Sequence, residues 1–144
     1  MDNDSNLTLE VRDAADAADV EFIHNGLRTY NRQFAPHDHQ FLYVFLRDAD
    51  GQLVGGLLGD TYWGWVSINN LWIDERYRGQ GYGERVLAAA EDEARRRGCA
   101  HAMLDTLSFQ ARPFYEKLGY RVYGQLDDFP AGSGHTRYYL TKDL

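Results

Sequence analysis

The residues best placed for chemistry in this 144-residue chain form one short run, Arg78-Gly79-Gln80-Gly81-Tyr82-Gly83. The run follows an extended apolar stretch and leads into a helical pattern, so several backbone N–H groups point outward at the positive end of a helix dipole. Such a turn is a cradle for a pyrophosphate. Gly81 and Gly83 admit a ligand without a Cβ clash, and Arg78 adds positive charge. Two familiar phosphate loops do not fit. A P-loop needs Gly-Lys-Ser/Thr, where this chain has Gly83-Glu84-Arg85. The dinucleotide fingerprint needs a glycine where Glu84 or Val86 stands. By itself the turn also reads, as the lesser alternative, as a tight connection that packs a helix on a sheet and binds nothing.

The flanking patterns supply the elements that position this run. Leu7, Leu9 and Val11 alternate with polar residues and predict a short opening strand. Asp13 is placed to cap an amphipathic helix over about 14 to 31, with Val20, Ile23, His24 and Leu27 at helical spacing. Pro36 and its polar neighbours predict a loop. Phe41 to Arg47 and Gln52 to Asp60 read as a hairpin about the turn Asp48 to Gly51, and Trp65 to Ile73 as a third antiparallel strand. Gly55, Gly56 and Gly59 in the middle strand signal a bulge or a close backbone approach. A helix from about Glu84 to Arg97 turns Val86, Leu87, Ala90 and Ala94 to one side and closes at Gly98. Its acids precede Arg95, Arg96 and Arg97, the order that suits the helix dipole. A strand (Ala100 to Thr106), a short helix (Phe109 to Leu118, with Pro113 in its first turn) and two strands (Tyr120 to Leu126, Thr136 to Lys142) complete the chain. No repeat or linker interrupts it, so residues 1–144 read as one domain.

Composition narrows the partners. Twenty-two acids against fifteen bases give a formal charge of −7, which repels a phosphate backbone and argues against nucleic acid. No apolar run is long enough to span a membrane, and the start MDNDSNLTLEVRD has no basic or apolar leader, so the expectation is a cytoplasmic protein. Cys99 is the only cysteine, which excludes an internal disulfide and a thiolate zinc cage and reads as a buried thiol. His37 and His39 have no accompanying ligand cluster, so no metal is assigned.

Tyr77-Arg78-Gly79-Gln80-Gly81-Tyr82-Gly83 resembles the acyl-CoA-binding motif of the GNAT N-acetyltransferase superfamily. Ala111-Arg112-Pro113-Phe114-Tyr115-Glu116-Lys117-Leu118-Gly119-Tyr120 resembles that family's second motif, one helix and one strand downstream. The expected fold is therefore α/β: a mixed, mostly antiparallel sheet of about seven strands flanked by helices, in the order β-α-(α)-β-β-β-α-β-α-β-β. The resemblance implies direct transfer of an acetyl group from acetyl-CoA to an amine through a ternary complex. It implies that backbone groups of Leu71, Trp72 and Ile73 pair with the pantetheine arm. Amides of Arg78, Gly79, Gln80, Gly81, Tyr82 and Gly83 then hold the pyrophosphate, and Tyr115 lies near the sulfur.

The chemistry needs a neutral amine, an oxyanion partner and a proton for the leaving thiolate. A backbone N–H near Trp72 or Ile73 suits the oxyanion. Tyr115 suits the thiolate, because a phenol of pKa about 10 can protonate it. Relatives often place a Glu base on the strand before the cradle, but this chain reads Ser67-Ile68-Asn69-Asn70-Leu71 there. Water relayed by Ser67, Asn69 or Asn70 is one route, and Asp74, Glu75 and Asp105 are assigned structural or solvent roles. Ser108 stands where the family commonly has an Asn touching the cofactor, or it caps the Tyr115 helix. Tyr30, Phe34, Asn69, Asn70 and Asp128 are candidate acceptor contacts, because acids with aromatics suit a cationic amine. The expected acceptor is an amine-bearing small molecule or peptide, and a homodimer is compatible with the resemblance. An acyl-CoA sensor without turnover and a purely structural domain remain the alternatives.

Overall fold

The chain divides into two compact units, Met1–His37 and Asp38–Leu144, and the computed structural model describes residues 6–144 of it. In the first unit, helix α1 (Ala17–Asn31) starts later than the periodicity implies. Its N-cap is Asp16, whose carbonyl accepts from the amides of Asp19 and Val20; Asp13 does not cap it. The expected opening strand is absent. Leu7, Leu9 and Val11 are largely exposed and belong to no strand: three alternating apolar residues are too short a run to form one by themselves.

The second unit is a six-stranded mixed sheet in the order β1-β2-β3-β4-β6-β5. The strands are β1 (Gln40–Arg47), β2 (Leu53–Tyr62), β3 (Trp65–Ile73), β4 (His101–Leu107), β5 (Arg121–Asp127) and β6 (Thr136–Asp143). Helices α2 (Tyr82–Arg96) and α3 (Arg112–Lys117) accompany it. Every neighbouring pair is antiparallel except β3 and β4. Six strands replace the expected seven because the opening strand does not form. The β2–β3 hairpin is tighter than expected: Trp63 and Gly64 alone make the turn, both at positive φ, and the Trp63 amide donates to Asp38 Oδ1 at 3.0 Å.

The core follows the helical spacing of α2. Val86, Leu87, Ala90 and Ala94 pack with Leu42, Leu57, Val66, Ile68, Leu104 and Leu140 from the sheet. Gly98 ends the helix at φ +85°, and the Cys99 amide closes the cap on the Ala94 carbonyl at 2.9 Å. Cys99 is buried, and burial pushes its thiol pKa up. Arg95 and Arg96 pair with Asp92 and Glu93 at the solvated helix end. Arg97 differs from them: it reaches back to the Phe41 carbonyl and the Thr61 hydroxyl, fastening the end of α2 to the hairpin.

Two features of β3 shape the site. The β2–β3 register shifts between Leu58 and Gly59, leaving Asn69 as the extra, bulged residue. Gly59 sits there because a Cβ would run into the Ser67 carbonyl oxygen. The second feature is a ladder that stops early. Strands β3 and β4 pair only from Trp65/His101 to Ile68/Leu104, although β3 continues to Ile73 and β4 to Leu107. The two strands end in a splay.

Candidate active site

Two cavities, of about 440 and 550 Å³, meet at this splay. Leu71, Ile73, Arg78, Ala111 and Tyr115 line both. The first extends over the turn into α2, along Gly79, Gly81, Tyr82 and Gly83, so the structure brings most of the expected cradle together with Tyr115. Asn69, Asn70 and Trp72 line the second. Beyond Ile68 the β3 edge that faces β4 has no ladder partner, which leaves the backbone at Leu71 to Ile73 open to an added extended chain.

The entry to α2 leaves room beside helix amides that no side chain caps. Gly79 and Gly81 have φ of +71° and +82°, a conformation that side chains disfavour, and a Cβ on either would meet nothing within 4 Å. Gly81 is the N-cap and offers no side chain to the first helical amides, so these remain available to a ligand. Gly83 plays a different part from Gly81: a Cβ there would touch the Phe114 ring at 3.4 Å, so it seats α2 against α3. Arg78 donates through Nε to the Ile73 carbonyl at 2.8 Å, which holds its side chain beside the splay. The Gln80 side chain is turned away, donating to the Arg76 carbonyl at 3.1 Å, and only its backbone belongs to the turn. Asp74 caps the short 3₁₀ turn Glu75–Tyr77, and its hydrogen bonds with the Arg76 guanidinium lower its pKa to about 2.

Tyr115 is 7% exposed, and among the described residues no buried side-chain oxygen lacks a partner, so its hydroxyl is not sealed off from the cavities it lines. Burial, followed by the charge of Asp105, pushes its pKa up to about 12. Helix α3 carries Pro113 in its first turn but is shorter than expected. Residues 108–111 make a turn instead, in which the Gln110 side chain accepts from the Leu107 amide at 2.8 Å. Ser108 is therefore neither the helix cap, which is Ala111, nor a lining residue of either cavity. Its hydroxyl contacts His135 Nδ1 and accepts from the Thr136 amide, tying the β4–α3 turn to β6.

The acceptor candidates separate. Asn69 lies at the bulge, where its amide accepts from the Ser67 hydroxyl at 2.9 Å and reaches Asp60 Oδ1 at 3.4 Å. Asp60 is held in turn by His39 Nε2 at 2.8 Å. Asp128 has a different job: its carboxylate accepts the amides of Gly132 and Gly134, and these bonds lower its pKa. It shapes the β5–β6 loop and lines neither cavity. Tyr30 and Phe34 pack on each other in the first unit, ring centroids 5.6 Å apart. One cavity residue that the sequence reading set aside is Asp105, which shares the second cavity with Tyr115.

The model of the acetyltransferase (GNAT) family matches residues 9–120. The chain belongs to the GNAT acetyltransferase family. An acetyltransferase of Agrobacterium fabrum is 38% identical over 131 residues, covering 90% of this chain and 94% of that one. Blasticidin-S acetyltransferase of Streptomyces morookaense is 41% identical over 95 residues, covering 65% of this chain and 68% of its own. A crystal structure of an acetyltransferase from Bacillus cereus superposes with a TM-score of 0.81 at 32% identity, covering 94% of this chain and 98% of that one. As a GNAT enzyme the chain is an N-acetyltransferase with acetyl-CoA as acyl donor. The open amides of α2, the space over Gly79 and Gly81, and the Tyr115 side chain on the shared cavity wall fit that donor. Among the described residues, no helix is long and apolar enough to cross a membrane.

Proposed function

We propose that this GNAT enzyme, acting as one acetyltransferase domain, transfers acetyl directly to the primary amine of a small molecule within a ternary complex. The observation that carries the proposal is Tyr115, a largely buried side chain on the wall shared by both cavities, whose hydroxyl is not sealed inside the protein. One cavity runs to the α2 amides, where the pyrophosphate binds, and the other opens past Asn69 and Asn70, where the acceptor enters. The backbone of Leu71, Trp72 and Ile73 pairs with the pantetheine arm, and an N–H near Trp72 or Ile73 faces the developing oxyanion. Tyr115 gives its proton to the leaving thiolate. Acetyl-CoA supplies the activated acetyl group; the protein supplies position, a proton donor and a dry wall.

A small amine is favoured over a protein terminus because a relative matching most of its own length is a blasticidin-S acetyltransferase. Calorimetric titration with acetyl-CoA, with NAD and ATP as controls, tests donor recognition. A panel of amines that includes blasticidin S and spermidine, scored by released thiol, tests transfer. Selective acetyl-CoA binding with thiol release for a panel amine is the expected result. Failure of folded protein to bind acetyl-CoA would overturn the placement of the cradle, and binding without release across the panel would overturn small-amine transfer.

A further inference from the structure

We infer that Asp105, on the far side of the splay from β3, is the group that takes the proton from the attacking amine. The inference rests on the proposed transfer reaction and supplies the base that β3 lacks. Strand β3 offers only amides at this point, and Asn69 is already engaged by Ser67 and Asp60. Asp74 is committed to Arg76 through both oxygens. Glu75 lies in the 3₁₀ turn and lines neither cavity.

Asp105 meets the geometric demands on a base. It lines the cavity that also holds Tyr115, Asn69 and Asn70. Its Oδ2 accepts from Arg137 Nε at 2.9 Å, while Oδ1 has no hydrogen bond among the described residues. Arg137 is fixed in turn, its guanidinium lying over the rings of Phe129 and Tyr139 at 5.0 and 5.2 Å. One carboxylate oxygen is thus anchored and the other is left for substrate. The charge of Asp105 is felt at Tyr115, where it adds to burial in holding the phenol proton. The charged and titratable groups facing Asp105 are Arg137 and Tyr139 on β6, Tyr115 on α3, and Arg78 across the same cavity.

The step balances. An ammonium N–H gives its proton to Asp105 Oδ1, directly or through one water, and the electron pair stays on nitrogen. That pair forms the N–C bond to the acetyl carbonyl, and the C–S bond breaks with its electrons on sulfur. Tyr115 protonates the sulfur, and its proton is replaced by the second proton shed by nitrogen. The products are the acetamide, the free thiol and one proton, which leaves Asp105 for solvent.

Three readouts test this on the intact chain, the first two with an amine that the wild-type protein accepts. Asp105→Asn should lower kcat/KM by roughly 10²- to 10³-fold near neutral pH while leaving acetyl-CoA affinity within about twofold. The deficit should shrink toward about pH 10, where solvent alone frees an alkylamine. Asp105→Glu should recover part of the activity. A third readout needs no amine: ¹³C-tyrosine NMR should show the Tyr115 pKa falling in Asp105→Asn. A variant with the wild-type pH profile would overturn the inference, and so would a Tyr115 titration that does not move. A wild-type protein that acetylates no amine would defeat the proposed function instead, and the tyrosine titration would still decide whether Asp105 addresses Tyr115.

Discussion

In the proposed transfer Tyr115 has to hold a proton until sulfur needs it, and its surroundings suit that task. A phenol at 7% exposure, without a hydrogen-bond donor to stabilise its anion, has its pKa pushed up to about 12. The hydroxyl is therefore fully protonated through the neutral range. Tyr115→Phe removes the proton and keeps the ring that packs against Phe114 and Tyr120. Its expected effect is a fall in kcat of roughly 10²- to 10³-fold with acetyl-CoA affinity nearly unchanged, read from initial rates beside calorimetry. Unaltered kcat would remove the acid role. Tyr115 was singled out in the chain because the segment that resembles the family's second motif, Ala111 to Tyr120, is local. Asp105 was not, because its exposure to Tyr115 depends on where the β3–β4 ladder stops, and no local pattern encodes that stop. Asp128 and Ser108 are tied to loop amides that the sequence did not point to, and Ala111 rather than Ser108 caps the Tyr115 helix. Short polar side chains in loops find nearby backbone amides first.

Elements built on a full period were easier to read than elements that depend on a partner. Strands β1 to β6 and helix α2 carry enough apolar alternation or helical spacing to declare themselves, whereas Leu7 to Val11 offers only three alternating apolar positions. At the start of α2, Gly81→Asp tests whether the cradle is where the open amides are. It places a carboxylate at the N-cap and a Cβ at φ +82°, so acetyl-CoA affinity should fall by tenfold or more in a titration. Unchanged affinity would place the pyrophosphate elsewhere. The middle of α2 tests packing. Glu91 is 6% exposed and is held by the Tyr120 hydroxyl at 2.8 Å and by Lys142 Nζ at 2.9 Å, which joins α2 to β6 and to the end of α3. Lys142→Met leaves a buried carboxylate without its cation and should cost about 3 kcal/mol in urea unfolding. Adding Glu91→Gln should recover much of that loss, because the charge that needed a partner is gone. A double variant as unstable as Lys142→Met would show that Lys142 acts through its aliphatic stem.

At the scale of the whole molecule, the core of the second unit contains two phenols, Tyr115 and Tyr120, and this makes stability depend on alkaline pH. Burial is the largest cause of the upward shift for both, and the Glu91 carboxylate adds to it at Tyr120. In the unfolded chain each titrates near pH 10. The folded pKa is the higher one, so the stability these groups contribute is fully present below about pH 10 and is lost as pH rises through the folded values. For Tyr115 that window closes at about 12. Between these limits each tyrosine should remove roughly 1.4 kcal/mol of unfolding free energy per pH unit, hence about 2.8 kcal/mol per unit for the pair. Denaturant unfolding at pH 8, 10.5 and 11.5 measures the slope. Tyr115→Phe should halve the part due to the pair, because phenylalanine fills the same place in the core with nothing to ionise. An unchanged slope would mean that Tyr115 ionises as readily folded as unfolded, which is incompatible with a desolvated proton donor. The same measurement therefore bears on the fold and on the proposed chemistry, since the burial that makes the core sensitive to alkali is also what holds the Tyr115 proton in place.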